Sequence, residues 1–272
     1  RLVDASGATA DKVRYATEGD WAQRARGPLQ GGHRGWIWHA AHDGDGHSIE
    51  LIQPSLSNNH GQNWHSSSAK HGTPGRVNST KIANLPPLIL DVIYSPAVPR
   101  STDPVTVTAR LIDESQDKIS AQLVYRLDGE ASYQVLPMAR SDAEQFTATL
   151  PPQADGQIIE FFVSAMDGQG ATRAWPSATA DCPLLLYQVD DQVVAPGRPV
   201  HRIILTQLER DELAAIGRRP WYNSSDAQMS GTFINIEDGR TRVHYNVGVR
   251  LRGSTSRAAP YKSRRVNFPN DR

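Results

Sequence analysis

The stretch VTVTARLI, residues 105–112, decides the fold, because its apolar and polar residues alternate along the chain. A period of two is typical of a β-strand that buries one face and exposes the other. Similar runs follow at intervals of about 8 to 12 residues, in AQLVYRLDGEASYQVLPM (121–138), QFTATLPP (145–152) and GQIIEFFVSAMDGQG (156–170). The dipeptide Asp128-Gly129 is a turn signal that divides the first of these runs into two strands. The pattern predicts a β-sandwich.

The composition also favours β-rich domains. The chain has 272 residues, of which 38% are apolar, and this length suits roughly two or three domains. Its 18 Pro and 21 Gly predict short strands and many turns. Cys182 is the single cysteine, which excludes an internal disulfide and a cysteine-based zinc site. The longest apolar run, PLLLY at 183–187, is too short to cross a bilayer, so no membrane span is expected.

Charge divides the chain into three regions, although its 29 basic and 29 acidic residues balance. Residues 1–80 hold seven of the nine histidines and four of the six tryptophans. Residues 101–195 hold 14 acidic against five basic residues. Residues 240–270 hold eight basic residues and no acidic one. The neutral total therefore hides three differently charged parts.

Two stretches between these regions are interpreted as linkers. They are polar or rich in proline and lie near residues 79–87 and 193–200. Three domains are therefore predicted, at residues 1–80, 86–192 and 200–272. The fold class that we expect is mainly β, with two β-sandwich modules followed by an incomplete α+β segment. Because the chain begins with Arg and stops just after a strand-like run, we expect a piece of a longer protein.

The first two regions resemble known families. The segments YRLDG, LPM, TATLPP and GQIIEFFVSAMDGQG, in this order, resemble the immunoglobulin-like or fibronectin-like spacer modules of bacterial extracellular proteins. The segment LVDASGATADKVRYATEGDWA, followed by GHSIELIQPSLSNNHGQNWHSSSAKHGTPGRVNS, resembles the second half of a bacterial lamin-tail domain. These resemblances imply an extracellular or cell-surface protein whose middle module holds other domains apart.

The third region contains the clearest helix and a hairpin. Thr206 and Glu209 fit a capping box, and apolar residues recur at helical spacing until Gly217 and Pro220 end the helix: Leu208, Leu213 and Ile216. The segment SGTFINIEDGRTRVHYNVGVRLRG predicts a hairpin that turns at Asp238-Gly239. Alternation predicts that one inward face carries Val243, Tyr245, Val247, Val249 and Leu251. The basic residues are then expected largely on the opposite face.

This third region resembles the N-terminal part of the CotH-type spore-coat kinase family. The resemblance lies in VGVRLRGSTSR followed by a strand that contains a lysine, although Tyr261-Lys262 stands where the family often has paired lysines. It implies an atypical kinase fold in which the intact parent binds ATP and Mg²⁺. The residues implied to lie near the phosphates are Arg250, Arg252, Gly253, Ser254, Ser256, Arg257 and Lys262. A glycine- and serine-rich loop with Arg and Lys beside it suits phosphate binding.

Three interpretations of the basic stretch remain open: a phosphate cradle, a nucleic-acid strip, and a solvated sheet face. Nucleic-acid binding is disfavoured, because the stretch has few aromatic residues and matches no recognised motif. Phosphoryl transfer needs a catalytic Asp and carboxylates that hold Mg²⁺. In the family these lie downstream of the lysine strand, so no catalytic residue is assigned here and the chain itself is expected to be inactive.

Two further features of the first region have competing interpretations. The segment WIWHAAHDGDGHSIE brings together imidazole and carboxylate side chains that could bind a metal, namely His39, His42, Asp43, Asp45, His47 and Glu50. No EF-hand spacing follows, so we interpret this segment as a turn before a strand and assign no metal. Trp36 and Trp38 could stack on a sugar, but such tryptophans more often fill a core.

The sequence as a whole predicts a secreted or cell-surface CotH-type kinase-like protein with β-sandwich modules for spacing or attachment. Its expected partner is a protein substrate or a cell-surface component. The alternative is a non-enzymatic surface-binding or adhesion protein.

Overall fold

The chain folds almost entirely into β-strands joined by turns. The computed structural model describes residues 2–115, 118–177, 182–192, 198–218, 225–253, 257 and 259–271. Its strands are β1 (Leu2–Val3), β2 (Thr9–Asp11), β3 (Gln23–Arg26), β4 (Trp36–His39), β5 (His47–Leu51), β6 (Trp64–Lys70), β7 (Leu88–Ser95), β8 (Val105–Ile112), β9 (Ser120–Leu127), β10 (Gln134–Arg140), β11 (Gln145–Leu150), β12 (Ile158–Met166), β13 (Thr172–Trp175), β14 (Leu185–Gln188), β15 (Val200–Ile204), β16 (Met229–Glu237), β17 (Arg240–Leu251) and β18 (Arg264–Asn267). Helix α1 spans Gln207–Arg218. The predicted mainly-β class is confirmed.

Strands β7 to β14 form the sandwich that the opening stretch predicts. The strand order is β13-β12-β9-β10-β11-β8-β7, with β14 also paired to β12. The order turns a corner at β10, which pairs with β9 over five residues but with β11 only at Ala139 and Arg140. In β8 the alternating residues predicted to be apolar and inward are all buried. They meet residues of the other layer, such as Leu123 and Phe161, in one hydrophobic core.

Strands β15 to β18 form a four-stranded antiparallel sheet in chain order. The predicted turn at Asp238-Gly239 joins β16 to β17, with positive φ at both residues, as a type I′ hairpin turn requires. One residue is inserted in β17 opposite β16: Gly231 pairs with Val247, whereas Phe233 pairs with His244. Asn246, with φ of 53°, lies at this β-bulge.

The bulge corrects the prediction of one continuous inward face on β17. An extra residue reverses the side to which the following side chains point. Tyr245 therefore joins the sandwich core, and Val243 packs against the same core. Beyond the bulge, Val247, Val249 and Leu251 belong to a separate core that includes Leu213 and Ile216 of α1. The strand that looked one-sided in the sequence contributes to two cores.

Helix α1 follows most of its predicted pattern. The Thr206 hydroxyl accepts a hydrogen bond from the Glu209 amide at 3.3 Å, which is half of the predicted capping box. Leu213 and Ile216 are buried. Leu208 is 69% exposed, so it does not share the buried face of Leu213 and Ile216. Five residues separate it from Leu213, which turns it about 140° away from that residue around the helix axis. The helix reaches Arg218, and the predicted stop at Pro220 lies outside the described residues.

The chain divides into two compact units. The first comprises residues 1–24, 38–85 and 269–272, and the second comprises residues 25–37 and 86–268. The second unit thus contains most of the second and third predicted domains and also residues 25–37 of the first. Compactness alone does not show which segments fold independently, so the three domain boundaries stay predictions. Residues 193–197 of the second predicted linker lie outside the described residues.

The first unit consists of short paired strands and polar contacts. Strand β1 pairs with β2, and β5 pairs with β6. The Glu50 carboxylate is buried and accepts hydrogen bonds from the Thr73 hydroxyl at 2.6 Å and from the amide and hydroxyl of Ser79 at 2.7 Å each. Burial opposes ionisation of Glu50, but these hydrogen bonds outweigh it and lower its pKa. A buried carboxylate therefore stabilises this unit.

Across the described ranges, no helix has the length and apolar character needed to span a membrane.

Candidate anion-binding site

The candidate site lies where β17 ends and the chain turns toward β18. The two strands pair from Gly248–Asn267 to Leu251–Arg264, and the Arg252 amide then donates to the Ser263 carbonyl at 2.8 Å. Gly253 follows with φ of 89°, a backbone conformation that favours glycine. The two predicted hydroxyl ligands, Ser254 and Ser256, lie outside the described residues. Their role stays a prediction.

Two arginines of the predicted set converge on one carboxylate. Arg257 is 6% exposed and donates to the Ser225 carbonyl at 2.8 Å and to the Asp226 carboxylate. Arg250 donates to the same Asp226 oxygen at 2.7 Å. The hydrogen bond from Arg257 lowers the pKa of Asp226 most, burial opposes this, and the charge of Arg250 lowers it further. Asp226 therefore fixes the position of both guanidinium groups.

Lys262 closes the segment that follows Arg257. Its ammonium group donates to the Arg257 carbonyl at 2.9 Å and to the Ala259 carbonyl at 3.1 Å. Its aliphatic chain lies over Gly217 near the end of α1, where an added Cβ would come within 2.7 Å of Lys262 Cε. An ammonium group has three donors, so two protein acceptors leave capacity for one more. Lys262 thus orders the loop and still carries a donor.

The four basic residues Arg250, Arg252, Arg257 and Lys262 are here called the basic cluster. Asp226 pairs with two of them, Arg250 and Arg257. The Arg252 side chain is exposed, whereas Arg257 is buried and Arg250 and Lys262 are half-buried. Such a cluster attracts anions, and an arginine can bind two phosphate oxygens with its planar fork. The structural partners of Arg250, Arg257 and Lys262 were not revealed by the sequence.

Sequence reasoning missed Asp226 and Ser225. They precede Arg250 by 24 and 25 residues and belong to no motif that involves the basic stretch. No sequence signal singles out Asp226, because Glu237 and Asp238 lie closer to the basic stretch. Pairing between segments this far apart depends on the tertiary fold.

The histidine-rich segment forms local hydrogen bonds in the structure. His42 contacts the Ser66 hydroxyl at 3.2 Å and the Ala16 carbonyl at 3.0 Å, and His47 contacts the Ser67 carbonyl at 2.6 Å. His39 lies 3.3 Å from the Asp45 carboxylate. Within the described ranges no three His, Cys, Asp or Glu side chains are grouped so as to hold a metal ion. His42 and His47 therefore contact backbone carbonyls and help to hold this segment in place.

The two tryptophans of β4 differ in exposure. Trp36 is 4% exposed, and its indole donates to the Glu209 carboxylate at 2.7 Å. The Arg26 guanidinium covers the Trp36 ring at 3.9 Å from its centroid. Trp38 is half-buried, with Arg24 over its ring at 4.6 Å. The Trp36 ring is therefore inaccessible for sugar stacking and has a structural role.

Part of the chain matches the model of a known family. A family model described as "Alpha-1,4-glucan:maltose-1-phosphate maltosyltransferase, domain N/S" matches residues 93–178. This range runs from the end of β7 through β13, inside the sandwich, and covers less than half of the chain. The chain is therefore similar to that domain over its sandwich. Among curated proteins, no sequence matches.

Proposed function

We propose that the basic cluster binds the phosphate groups of a nucleotide and that residues 200–272 open a CotH-type kinase-like domain. The sandwich serves as a module for spacing or attachment, in a secreted or cell-surface bacterial protein that acts on a protein or a surface component. The observation that supports this proposal most is the convergence of basic side chains at one loop. Arg250 and Arg257 share the Asp226 carboxylate, and Lys262 donates to the Arg257 carbonyl.

The described residues fit phosphate better than they fit Mg²⁺. The guanidinium group of Arg252 is solvent-exposed, and guanidinium and ammonium groups are donors that suit phosphate oxygens. No trio of acidic or imidazole side chains in the described ranges is arranged for a metal. The proposal is therefore limited to contact with phosphate, and ATP with Mg²⁺ is the form that the CotH resemblance implies for the intact parent.

A second candidate ligand follows from the family match. Maltose 1-phosphate appears in the name of the maltosyltransferase whose domain N/S is similar to residues 93–178. A sugar phosphate offers a phosphate group with the same oxygen acceptors as a nucleotide. The cluster would then serve a carbohydrate-active protein rather than a kinase-like one. Titration with both a nucleotide and a sugar phosphate, described next, distinguishes a kinase-like protein from a carbohydrate-active one.

Replacing Arg252 with alanine should weaken binding of the phosphate ligand by about ten- to a hundredfold. That range corresponds to about 1.5 to 3 kcal/mol, the usual scale for a hydrogen bond to a charged group. The melting temperature should change little, because an exposed cation contributes under about 1 kcal/mol to stability. Calorimetric titration with ATP and Mg²⁺, maltose 1-phosphate, maltose and inorganic phosphate measures the effect.

Arg240→Ala is the matched control. Arg240 is likewise an exposed arginine. It begins β17, about 36 Å from the end of the strand that precedes Arg252 at a rise of about 3.3 Å per residue. The Arg240→Ala variant removes the same charge as Arg252→Ala and should leave the affinity for the phosphate ligand nearly unchanged. Equal losses in the two variants would show general attraction to a basic surface, and no loss with Arg252→Ala would remove the phosphate proposal.

A further inference from the structure

A short loop between β3 and β4, residues 27–35, reaches α1 and is here called the hairpin loop. The backbones of Gln30 and His33 exchange hydrogen bonds of 2.8 and 3.0 Å across the dipeptide Gly31-Gly32. Both glycines have positive φ, as a type I′ hairpin turn requires. His33 is 6% exposed, and its imidazole lies 2.9 Å from the Glu212 carboxylate of α1. The turn is therefore tight, and α1 anchors its tip.

Gln30 of this turn supports the segment 225–228, which leads into β16. Its side-chain oxygen accepts a hydrogen bond from the Asp226 amide at 2.8 Å and from the Ser225 hydroxyl at 3.4 Å. Ser225 is 1% exposed, and its hydroxyl oxygen accepts in turn from the Ala227 amide at 3.1 Å. One glutamine side chain thus satisfies polar groups of two consecutive residues and holds this end of the segment.

The hairpin loop also contacts the other end of this segment. The Trp36 amide, just after the loop, donates to the Gln228 carbonyl at 2.8 Å. Gly35 has no room for a side chain, because an added Cβ would come within 2.3 Å of the Gln228 nitrogen and 2.9 Å of the Ala227 carbonyl carbon. Both of these are backbone atoms, so a larger residue at position 35 would push the loop and the segment apart.

The same segment carries the acceptors for two arginines of the basic cluster. Arg257 donates to the Ser225 carbonyl and, together with Arg250, to the Asp226 carboxylate. Asp226 therefore meets the hairpin loop through its backbone amide and the arginines through its side chain. Its side chain is exposed, so the place of its carboxylate depends on how firmly the backbone of the segment is held. Movement of the segment would move the acceptors of both guanidinium groups.

We propose that the hairpin loop is a positioning element for the basic cluster, with Gln30 and Gly35 as its positioning residues. By holding the backbone of residues 225–228, it keeps the Asp226 carboxylate in place and orients the guanidinium groups before phosphate arrives. Donors that are already oriented bind more tightly, because less conformational entropy is lost on binding. This inference rests on the proposed function for the gain in phosphate affinity, whereas the orientation of the arginines is measurable without any ligand.

Gln30→Ala is expected to speed rotation of the Arg257 guanidinium about its Cζ–Nε bond by about two- to tenfold, the scale of one net hydrogen bond. Gln30 is exposed, so the chain should fold without its side chain. Gly35→Ala should have at least as large an effect, because its Cβ displaces the segment. Nitrogen-15 NMR on the whole chain without ligand measures the rotation. Calorimetric titration with ATP and Mg²⁺ should show an affinity lower by about the same factor in Gln30→Ala.

Two references keep this test specific. Arg126 binds the Glu160 carboxylate with two guanidinium nitrogens in the sandwich, so its rotation should be the same in every variant. Gln122→Ala removes an exposed glutamine of β9 and should leave the rotation of Arg257 unchanged.

Unchanged rotation of Arg257 in Gln30→Ala would overturn the positioning role, and so would an equal change in the rotation of Arg126. Gln30→Ala alone decides the test if Gly35→Ala does not fold. Faster rotation with an unchanged affinity for ATP would overturn the link to phosphate binding. A wild-type chain that binds no ATP, together with faster Arg257 rotation in the variant, would refute the proposed function and support the orienting role of the loop.

Discussion

Replacing Tyr245 with alanine is expected to lower the free energy of unfolding by about 3 to 5 kcal/mol, the cost of truncating a large buried aromatic side chain. The Tyr245 ring lies 6.2 Å from Trp175, 6.3 Å from Tyr94 and 6.4 Å from Phe161, measured between ring centroids. These three residues belong to the sandwich, whereas Tyr245 belongs to β17. Its removal should leave a cavity in the sandwich core. Denaturant unfolding followed by circular dichroism measures the loss.

Tyr261→Ala is the control for this prediction. Tyr261 is 95% exposed, so its loss should change stability by less than about 0.5 kcal/mol. The difference between the two tyrosines separates core packing from the simple removal of an aromatic side chain. A loss below about 1 kcal/mol for Tyr245→Ala would contradict a core that β17 completes.

The Glu209→Ala variant is expected to lose about 2 to 4 kcal/mol of stability, because it leaves two buried donors without an acceptor. The Glu209 carboxylate accepts from the Trp36 indole at 2.7 Å and from the Ser230 amide at 3.1 Å. Arg26, which covers the Trp36 ring, lies 4.0 Å from the same carboxylate. One buried acidic side chain thus joins α1, β16 and the segment 25–37. Chemical denaturation measures the change, and the NMR signal of the Trp36 indole proton reports the hydrogen bond itself.

Glu209→Gln and Glu237→Ala complete this series. Glutamine keeps one acceptor oxygen, so we expect a smaller loss than with alanine. Glu237 is an exposed residue of β16, and its replacement should have little effect. If Glu209→Ala is as stable as Glu237→Ala, or if the Trp36 indole signal does not move, the assigned contact is wrong.

The sandwich was predictable because its signal is local. Each strand shows its own alternation, and β8 carries the pattern without interruption. The bulge in β17 was not predicted from the sequence: Asn246 is of a type that tolerates positive φ, but a lone Asn in an alternating run does not specify a bulge. The packing of residues 25–37 in the second unit was equally hidden, since the Trp36–Glu209 hydrogen bond joins residues 173 positions apart.

The candidate site shows the same division. The cations were visible in the sequence, because a purely basic stretch stands out in a neutral chain. Their fixed partners were not, because Asp226 reaches Arg250 and Arg257 only after β16 and β17 have paired. Capping by Thr206 was predictable from four consecutive positions. The Glu209 side chain instead accepts a hydrogen bond from Trp36, a contact that depends on the tertiary fold.

The central claim is that the basic cluster binds phosphate, and amide chemical shifts in a nitrogen-15 NMR titration test it most directly. The titrants are ATP with Mg²⁺, inorganic triphosphate and sodium chloride at matched ionic strength. Phosphate binding predicts saturable shifts concentrated at Arg252, Gly253, Arg257 and Lys262 with both phosphate ligands, and much weaker shifts in Arg252→Ala. The account would be contradicted if the amides of these four residues did not shift in the wild-type chain. It would also be contradicted if Arg240 and Arg242 shifted equally and sodium chloride produced the same shifts.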